Sequence, residues 1–252
     1  MSALLDVSGL TVTFGGVTAV DGTGFAVEEG ALTGLIGPNG AGKTTVMRSI
    51  TGAVQPKAGT IRLAGQDLTR LPTHRRIRAG LGLSQQIVRP FHTMTLVQNV
   101  MLAAGHRRTE RPLRALLSRQ RTDERERALA LLDLVGIADA AESYPAALPL
   151  GYLKRLEVAR ALALDPKLLL LDEPLAGLNS AEARRLADTV LALNGRGLTI
   201  VLIEHNLGEV LRICRRLVVL DNGRKIAEGE PTAVMEQPDV RAAYLGESDV
   251  AA

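Results

Sequence analysis

Gly37-Pro38-Asn39-Gly40-Ala41-Gly42-Lys43-Thr44, followed by Thr45, fits the phosphate-binding pattern G-x-x-x-x-G-K-[ST] without a gap. The apolar run Leu32 to Ile36 reads as a buried strand feeding this loop, and Thr44 to Ile50 reads as the helix leaving it. Glycines let the backbone curl so that successive N–H groups point at phosphate oxygens. The helix N-terminus adds partial positive charge at the same spot. In this pattern Lys43 reaches the β- and γ-phosphates and the Thr44 hydroxyl holds Mg²⁺. A Gly-rich turn before an ordinary helix is the plainer alternative, and the strand–loop–helix context argues against it. The stretch reads as a nucleotide site.

Composition narrows the class around it. The chain has 252 residues, enough for a full hydrophobic core in one large domain or two small ones. Its 46% hydrophobic and 23% charged residues are those of a globular protein, and its net charge of +3 is mild. No apolar run approaches the roughly 18 residues of a membrane span. The start, Met1 to Asp6, lacks the basic and apolar regions of a signal peptide, so a soluble cytosolic protein is expected. The single cysteine, Cys214, excludes an internal disulfide and reads as a buried, inert thiol. With no Trp, three Tyr and three Phe, a stacking surface for single-stranded nucleic acid is not expected.

Outward from the loop, Leu4 to Val27 alternates in short apolar runs broken by Gly15-Gly16, a β-hairpin-rich start packed beside the nucleotide strand. Phe14 within it is either a core residue or a platform for an adenine ring. Gly59 to Leu63 reads as a short strand, and Pro72 to Ala79 as an Arg-rich helix with Pro72 in its first turn. Leu81 to Ser84 is a strand running into Gln85-Gln86, where a glutamine beside a nucleotide site can ligate Mg²⁺ and sense the γ-phosphate. From about Phe91 to Leu164 helical periodicity takes over, notably in Leu96 to Ala103 and Ala128 to Val135. The Arg-rich run Gly105 to Arg127 between them reads as a solvated face, with contact to anionic lipid headgroups as the alternative.

The α/β pattern resumes at Lys167. Leu168 to Leu171 is an apolar strand ending in Asp172-Glu173, acids at the sheet edge where ligands sit. The first can hold Mg²⁺ through its water shell and the second can orient or deprotonate an attacking water. A helix (Ala181 to Leu193) and a strand (Leu198 to Ile203) lead to Glu204-His205-Asn206. His205 is again at a strand tip, either an ordinary surface histidine or a γ-phosphate contact. The strand Leu217 to Leu220, a turn at Asp221 to Arg224 and C-terminal helices finish the chain. Strands alternating with helices around a phosphate loop imply a mostly parallel α/β sheet carrying an inserted helical subdomain.

Over essentially its whole length this order resembles the ATPase subunit of an ATP-binding cassette (ABC) transporter. The resemblance implies a P-loop ATPase core, spanning about 1–86 and 165–252, an N-terminal antiparallel β subdomain and a helical subdomain at about 87–164. It makes Phe14 the adenine-stacking aromatic, Gly37 to Thr45 the phosphate loop, Gln86 the Q-loop glutamine, Asp172 the Mg²⁺-site aspartate, Glu173 the catalytic glutamate and His205 the switch histidine. The signature is Leu148-Pro149-Leu150-Gly151-Tyr152, with Lys154 to Leu162 after it, and the D-loop is Ala176-Gly177-Leu178-Asn179. Ile87 to Phe91, the D-loop, Ile203-Glu204-His205 and the ending Ala243 to Glu247 are similar to the branched-chain amino-acid importer subgroup, with urea-type and lipopolysaccharide-type ATPases as near relatives. The alternative from another class is a cytosolic ABC ATPase that moves no solute.

What the resemblance implies is a pair of cassettes sandwiching two ATP molecules, each held by one chain's phosphate loop and the other's signature. Membrane permease subunits dock near Gln86, a periplasmic solute-binding protein acts through them, and the chain lies at the cytoplasmic face of the bacterial inner membrane. Three departures stand out. Gln85 takes the place where the subgroup commonly has Phe, so a register shift of one would make Gln85 the functional glutamine. Asn179 replaces the wider family's aspartate. The signature has Pro149 for serine and Tyr152 for glutamine, and Pro149 is expected in the first turn of the following helix. Because proline supplies neither hydroxyl nor N–H, a heterodimer with a different cassette is favoured over a homodimer.

Overall fold

The computed structural model of the protein describes residues 3–84, 89–104 and 120–245. The chain enters through β1 (Ala3–Phe14) and β2 (Val17–Glu28), paired antiparallel across the Gly15-Gly16 turn. The short apolar runs of the sequence are thus pieces of two long strands. Register shifts, such as that between Val7 and Leu10, bend the ladder without ending it and break the apolar alternation. β4 (Ala58–Leu63) pairs with the other edge of β1, and β5 (Gln66–Asp67) with β4, making a four-stranded antiparallel sheet.

The second sheet begins with β3 (Leu32–Ile36) and adds β6 (Leu81–Ser84), β7 (Leu168–Asp172), β8 (Thr199–Ile203), β9 (Arg216–Asp221) and β10 (Arg224–Gly229). Its order is β10-β9-β3-β8-β7-β6, parallel throughout except for β10 at one edge. Parallel strands need crossovers. The helices that supply them are α1 (Lys43–Thr51), α2 (Thr73–Arg78), α3 (Leu96–Ala104), α4 (Gln120–Leu134), α5 (Leu150–Leu162), α6 (Ser180–Gly195) and α7 (Leu207–Ile213); α8 (Pro231–Met235) and α9 (Pro238–Leu245) follow β10.

The central strands are apolar on both faces because both are covered. Leu169, Leu171, Ile200, Leu202, Leu217 and Val219 share one core with residues of α3 to α9. Their neighbours Leu168, Leu170, Val201, Ile203, Val218 and Leu220 face α1 and the antiparallel sheet in the other. Burying a Leu or Val side chain stabilises by roughly 1.5–3 kcal/mol, so the sheet is the rigid frame from which loops project. Cys214 is buried under β3 opposite Gly34, and burial pushes its thiol up to about 12, as an inert structural thiol requires.

Two expectations shift by one residue. Pro72 and Pro149 are N-caps with extended ψ of 155° and 159°, not members of the first turns of α2 and α5. Of the charged run Gly105 to Arg127, residues 105–119 lie outside the described residues; Asp123, Arg125, Glu126 and Arg127 on α4 are exposed, a solvated face. Gln85, Gln86, Ile87 and Val88 also lie outside the described residues, as do Gly246 and Glu247.

Candidate functional site

Ile203 of β8 pairs with Leu35 of β3 on one side and with Asp172 of β7 on the other. Gly37, Glu173 and Glu204, close behind these strands, therefore leave the sheet at one level, the carboxyl edge where open α/β sheets bind ligands. The phosphate loop can follow its path only with glycine at two points. A Cβ on Gly37 (φ 146°) would lie 2.0 Å from the Leu220 carbonyl oxygen, and one on Gly42 (φ 95°) 2.7 Å from that of Ala19. The loop is tied to the β9–β10 turn by Gly223 N–H donating to the Ala41 carbonyl at 3.2 Å. The Gly223 carbonyl accepts in turn from Asp21 N–H and from Thr23 Oγ1.

Gly42 is the N-cap of α1, which has no side-chain cap and no acidic residue in its first turn. Its own side chains therefore offer the leading N–H groups no competitor to an incoming anion. A pocket of about 210 Å³ opens there, lined by Ala19, Asn39 to Thr45, Glu173 and His205. Lys43 is buried, with Nζ donating to the carbonyls of Gly37 at 2.7 Å and Pro38 at 2.8 Å. Phosphate oxygens entering the loop would take over that ammonium. At the other end of α1 the fully buried Arg76 donates to the carbonyls of Ser49, Ile50, Leu71 and Thr69, closing the helix C-terminus with a cation.

Across the pocket, Glu173 holds a left-handed backbone, φ 49°, its N–H donating to the Ile203 carbonyl at 2.9 Å. Its Oε1 lies 2.9 Å from His205 Nε2, so the two strand tips meet through their side chains. Burial pushes the Asp172 carboxyl up, and neighbouring Glu173 pushes it the same way. Asp172 Oδ1 is buried without a hydrogen-bond partner among the described residues. A buried oxygen of this kind at a strand tip, with the Thr44 hydroxyl at the pocket, fits a hard cation that keeps phosphate and water as its other ligands, as Mg²⁺ does.

The structure thus gathers Gly37 to Thr45, Asp172, Glu173 and His205 at one edge. Phe14 stands at the end of β1, 50% exposed and outside the pocket lining, which overturns its reading as a core residue and leaves it a surface aromatic on the hairpin that carries Ala19. Pro149, Leu150 and Gly151 lie at the start of α5 and not in this pocket. A Cβ on Gly177 would sit 3.0 Å from Leu150 Cδ2, so the signature and the D-loop adjoin. Asn179 caps α6, its side chain accepting from Glu182 N–H while the Glu182 carboxylate accepts from Asn179 N–H.

Two residues carry more than the sequence assigned to them. Glu204 is buried, its carboxylate accepting from Leu175 N–H at 2.5 Å and His205 N–H at 3.3 Å. Burial pushes that carboxyl up to about 7, against those N–H bonds, which hold it down. Lys154, buried on α5, donates through Nζ to the Glu173 carbonyl at 3.1 Å. No local signal marks the lysine, because Arg155 and Glu157 beside it are charged as well.

Fold and site together define a P-loop nucleotide-binding cassette. The model of the ABC transporter family matches residues 20–176, and one described as a branched-chain amino acid ATP-binding cassette transporter matches residues 224–250. The chain belongs to the ABC transporter family, as an ATP-binding and ATP-hydrolysing cassette. It is 41% identical to the high-affinity branched-chain amino acid transport ATP-binding protein BraF of Pseudomonas aeruginosa, over 97% of this chain and 98% of that one. It is 38% identical to the corresponding protein LivG of Escherichia coli K12, over 97% and 98%. The ADP conformation of MJ1267, an ATP-binding cassette of an ABC transporter, superposes with a TM-score of 0.86 at 30% identity, covering 98% of this chain and 100% of that one. Cassettes of this family work in pairs beside membrane permease subunits. Among the described residues no helix is long and apolar enough to cross a membrane.

Proposed function

We propose that the chain is the ATP-hydrolysing subunit of an importer for branched-chain or related amino acids, working with Mg²⁺ at the cytoplasmic face of a bacterial inner membrane. The observation that carries the solute class is its likeness, over nearly the whole length, to proteins named for branched-chain amino acid transport. The lipopolysaccharide-type alternative has the weaker support, at 34% identity over a similar length.

Within this reading, the amides of Gly37 to Thr45 bind the phosphates of ATP, Lys43 neutralises the β- and γ-phosphates, and Phe14 offers a face to the adenine. Thr44, Asp172 and Gln86 would hold Mg²⁺, which when bound supplies positive charge against the phosphate oxygens. Glu173 takes a proton from the attacking water, and His205, already within hydrogen-bond reach of Glu173, stabilises charge developing on the γ-phosphate. Pro149, Leu150 and Gly151 face the nucleotide of a second cassette, for which a different chain is favoured because Pro149 lacks the hydroxyl and N–H of a serine. The permeases dock near Gln86, and a periplasmic binding protein supplies them with solute. No nucleic acid takes part.

The test is reconstitution with a partner cassette, permease subunits and a periplasmic binding protein, with ATP hydrolysis measured against a panel of solutes. Leucine, isoleucine or valine should stimulate turnover. Stimulation by urea, or by no solute at all, would overturn the amino-acid reading.

A further inference from the structure

Lys154 is a cation that the reaction outlined above does not use, and it is 4% exposed. Burying an ammonium is costly unless something in the structure needs it there. Burial pulls its pKa down, and the carboxylates of Glu204, Glu173, Asp172 and Glu157 around it pull the other way. Its Nζ donates to the carbonyl oxygen of Glu173 at 3.1 Å. That peptide has reason to be held. Glu173 sits at φ 49°, a strained region that a residue with a side chain keeps only where its surroundings over-determine it. Its N–H is fixed by the Ile203 carbonyl, and its carbonyl accepts from Ala176 N–H as well as from Lys154.

Glu204 holds the other side of the same turn. One carboxylate oxygen takes Leu175 N–H, two residues beyond Glu173, and the other takes His205 N–H. The loop is closed by His205 Nε2 against Glu173 Oε1 at 2.9 Å. Every link in this ring except one comes from the strand tips of the sheet. The exception is Lys154, which α5 contributes from one turn beyond Pro149, Leu150 and Gly151. A turn of helix is short and stiff, about 5.4 Å, so Lys154 cannot move without the signature end of α5 moving with it.

We propose that Lys154 is a positioning residue for the general base: it holds the Glu173 peptide of its own site from the helix whose N-terminus meets the partner's nucleotide. Hydrolysis at this chain's phosphate loop then depends on how α5 sits against the sheet, and α5 is the element the second ATP engages. The inference rests on Glu173 being the base.

The experiment is steady-state ATP hydrolysis by the full chain in its assembled complex, with kcat and KM resolved for Lys154→Met and Lys154→Arg. A base displaced by about an ångström costs roughly ten- to a hundredfold in rate. Lys154→Met, similar in volume and able to pack where the lysine stem packs, should therefore lose that much kcat while KM for ATP stays within about twofold, because the phosphate loop is untouched. Lys154→Arg, which restores a donor, should recover most of the loss. Wild-type kcat in Lys154→Met, a rise in KM with kcat unchanged, or equal impairment of both variants would overturn the proposal. Should Lys154→Met not fold, Lys154→Leu, which also lacks a donor, carries the same comparison. Glu173→Gln is measured beside them. If it stops hydrolysis while Lys154→Met does not, the positioning role alone fails; if it turns over like wild type, the base assignment fails first.

Discussion

The N-termini of α1 and α5 are built differently from those of α6 and α7. Behind α1 stands Gly42 and behind α5 Pro149, and neither supplies a side-chain acceptor to the first turn. α6 begins with Asn179 in a reciprocal capping box with Glu182, and α7 begins with Asn206 accepting from Glu209 N–H. Leaving an N-terminus without a side-chain cap costs up to about 1 kcal/mol. At Gly42 the loop's path excludes a side chain, since a Cβ there would lie 2.7 Å from the Ala19 carbonyl oxygen. α2 also starts bare behind Pro72, but it is a six-residue turn of helix closed against α1 by Arg76. The difference teaches where the chain expects an outside acceptor. On the proposed reading α1 and α5 leave their amides for phosphates, whereas α6 and α7 each bind a leading N–H to an Asn side chain.

The comparison predicts that binding at bare helix ends is separable from the chemistry between them. Glu173→Gln should keep ATP affinity within a few fold and lower hydrolysis by roughly a hundredfold or more, as loss of a general base does. Nucleotide-binding titration and phosphate release on the same preparation measure the two. A parallel fall in affinity would merge what the comparison keeps apart.

Next in size is a pH effect beside the capped end of α7. Burial pushes the folded Glu204 carboxyl up to about 7 from its ordinary 4.5, so the folded state binds more protons between those values than the unfolded one. The stability this confers is complete below about pH 4.5 and is lost as pH rises through 7, a loss on the order of 1–3 kcal/mol. Denaturant melts across that window should show wild type declining relative to Glu204→Gln, whose side chain does not titrate. Parallel profiles would refute the assignment.

Pro149→Ser sharpens the comparison at the bare end of α5. It adds a hydroxyl and an N–H where the partner's γ-phosphate is expected, an interaction worth roughly tenfold in rate. Turnover at the partner's phosphate loop should rise, and turnover at the loop holding Lys43 should hardly change. Each site is read with the other silenced by its own catalytic-glutamate substitution. Equal rates at both sites before and after would show that the amides of Leu150 and Gly151 suffice. The smallest effect belongs to a capped end: Asn179→Ala should lower Tm by about 2–4 °C, the value of one lost cap in a chain of this size, by calorimetry.

Much of this site was legible because its signals are local. The phosphate loop lies within nine residues, and Asp172-Glu173 and His205 each announce themselves as polar groups ending apolar strands. The positions misjudged were those decided by distant contacts. Lys154 meets Glu173 from 19 positions away, and Glu204 meets Leu175 from 29, so no window of sequence pairs them. The prolines went one residue too far into their helices because a fixed φ suits the N-cap as well as the first turn, and ψ decides between them. Phe14 could be a core or a surface aromatic by pattern. The end of β1 settled it, since strand partners cover it on one side only.

Cys214 has a practical side. It is the chain's one cysteine, and burial, which pushes its thiol up to about 12, keeps it protonated at neutral pH. The wild-type protein is therefore a nearly silent background for thiol chemistry. A cysteine introduced at an exposed site such as Leu150 would be the reactive one, so spin labels or crosslinkers could follow the approach of two cassettes without stripping the native sulfur first.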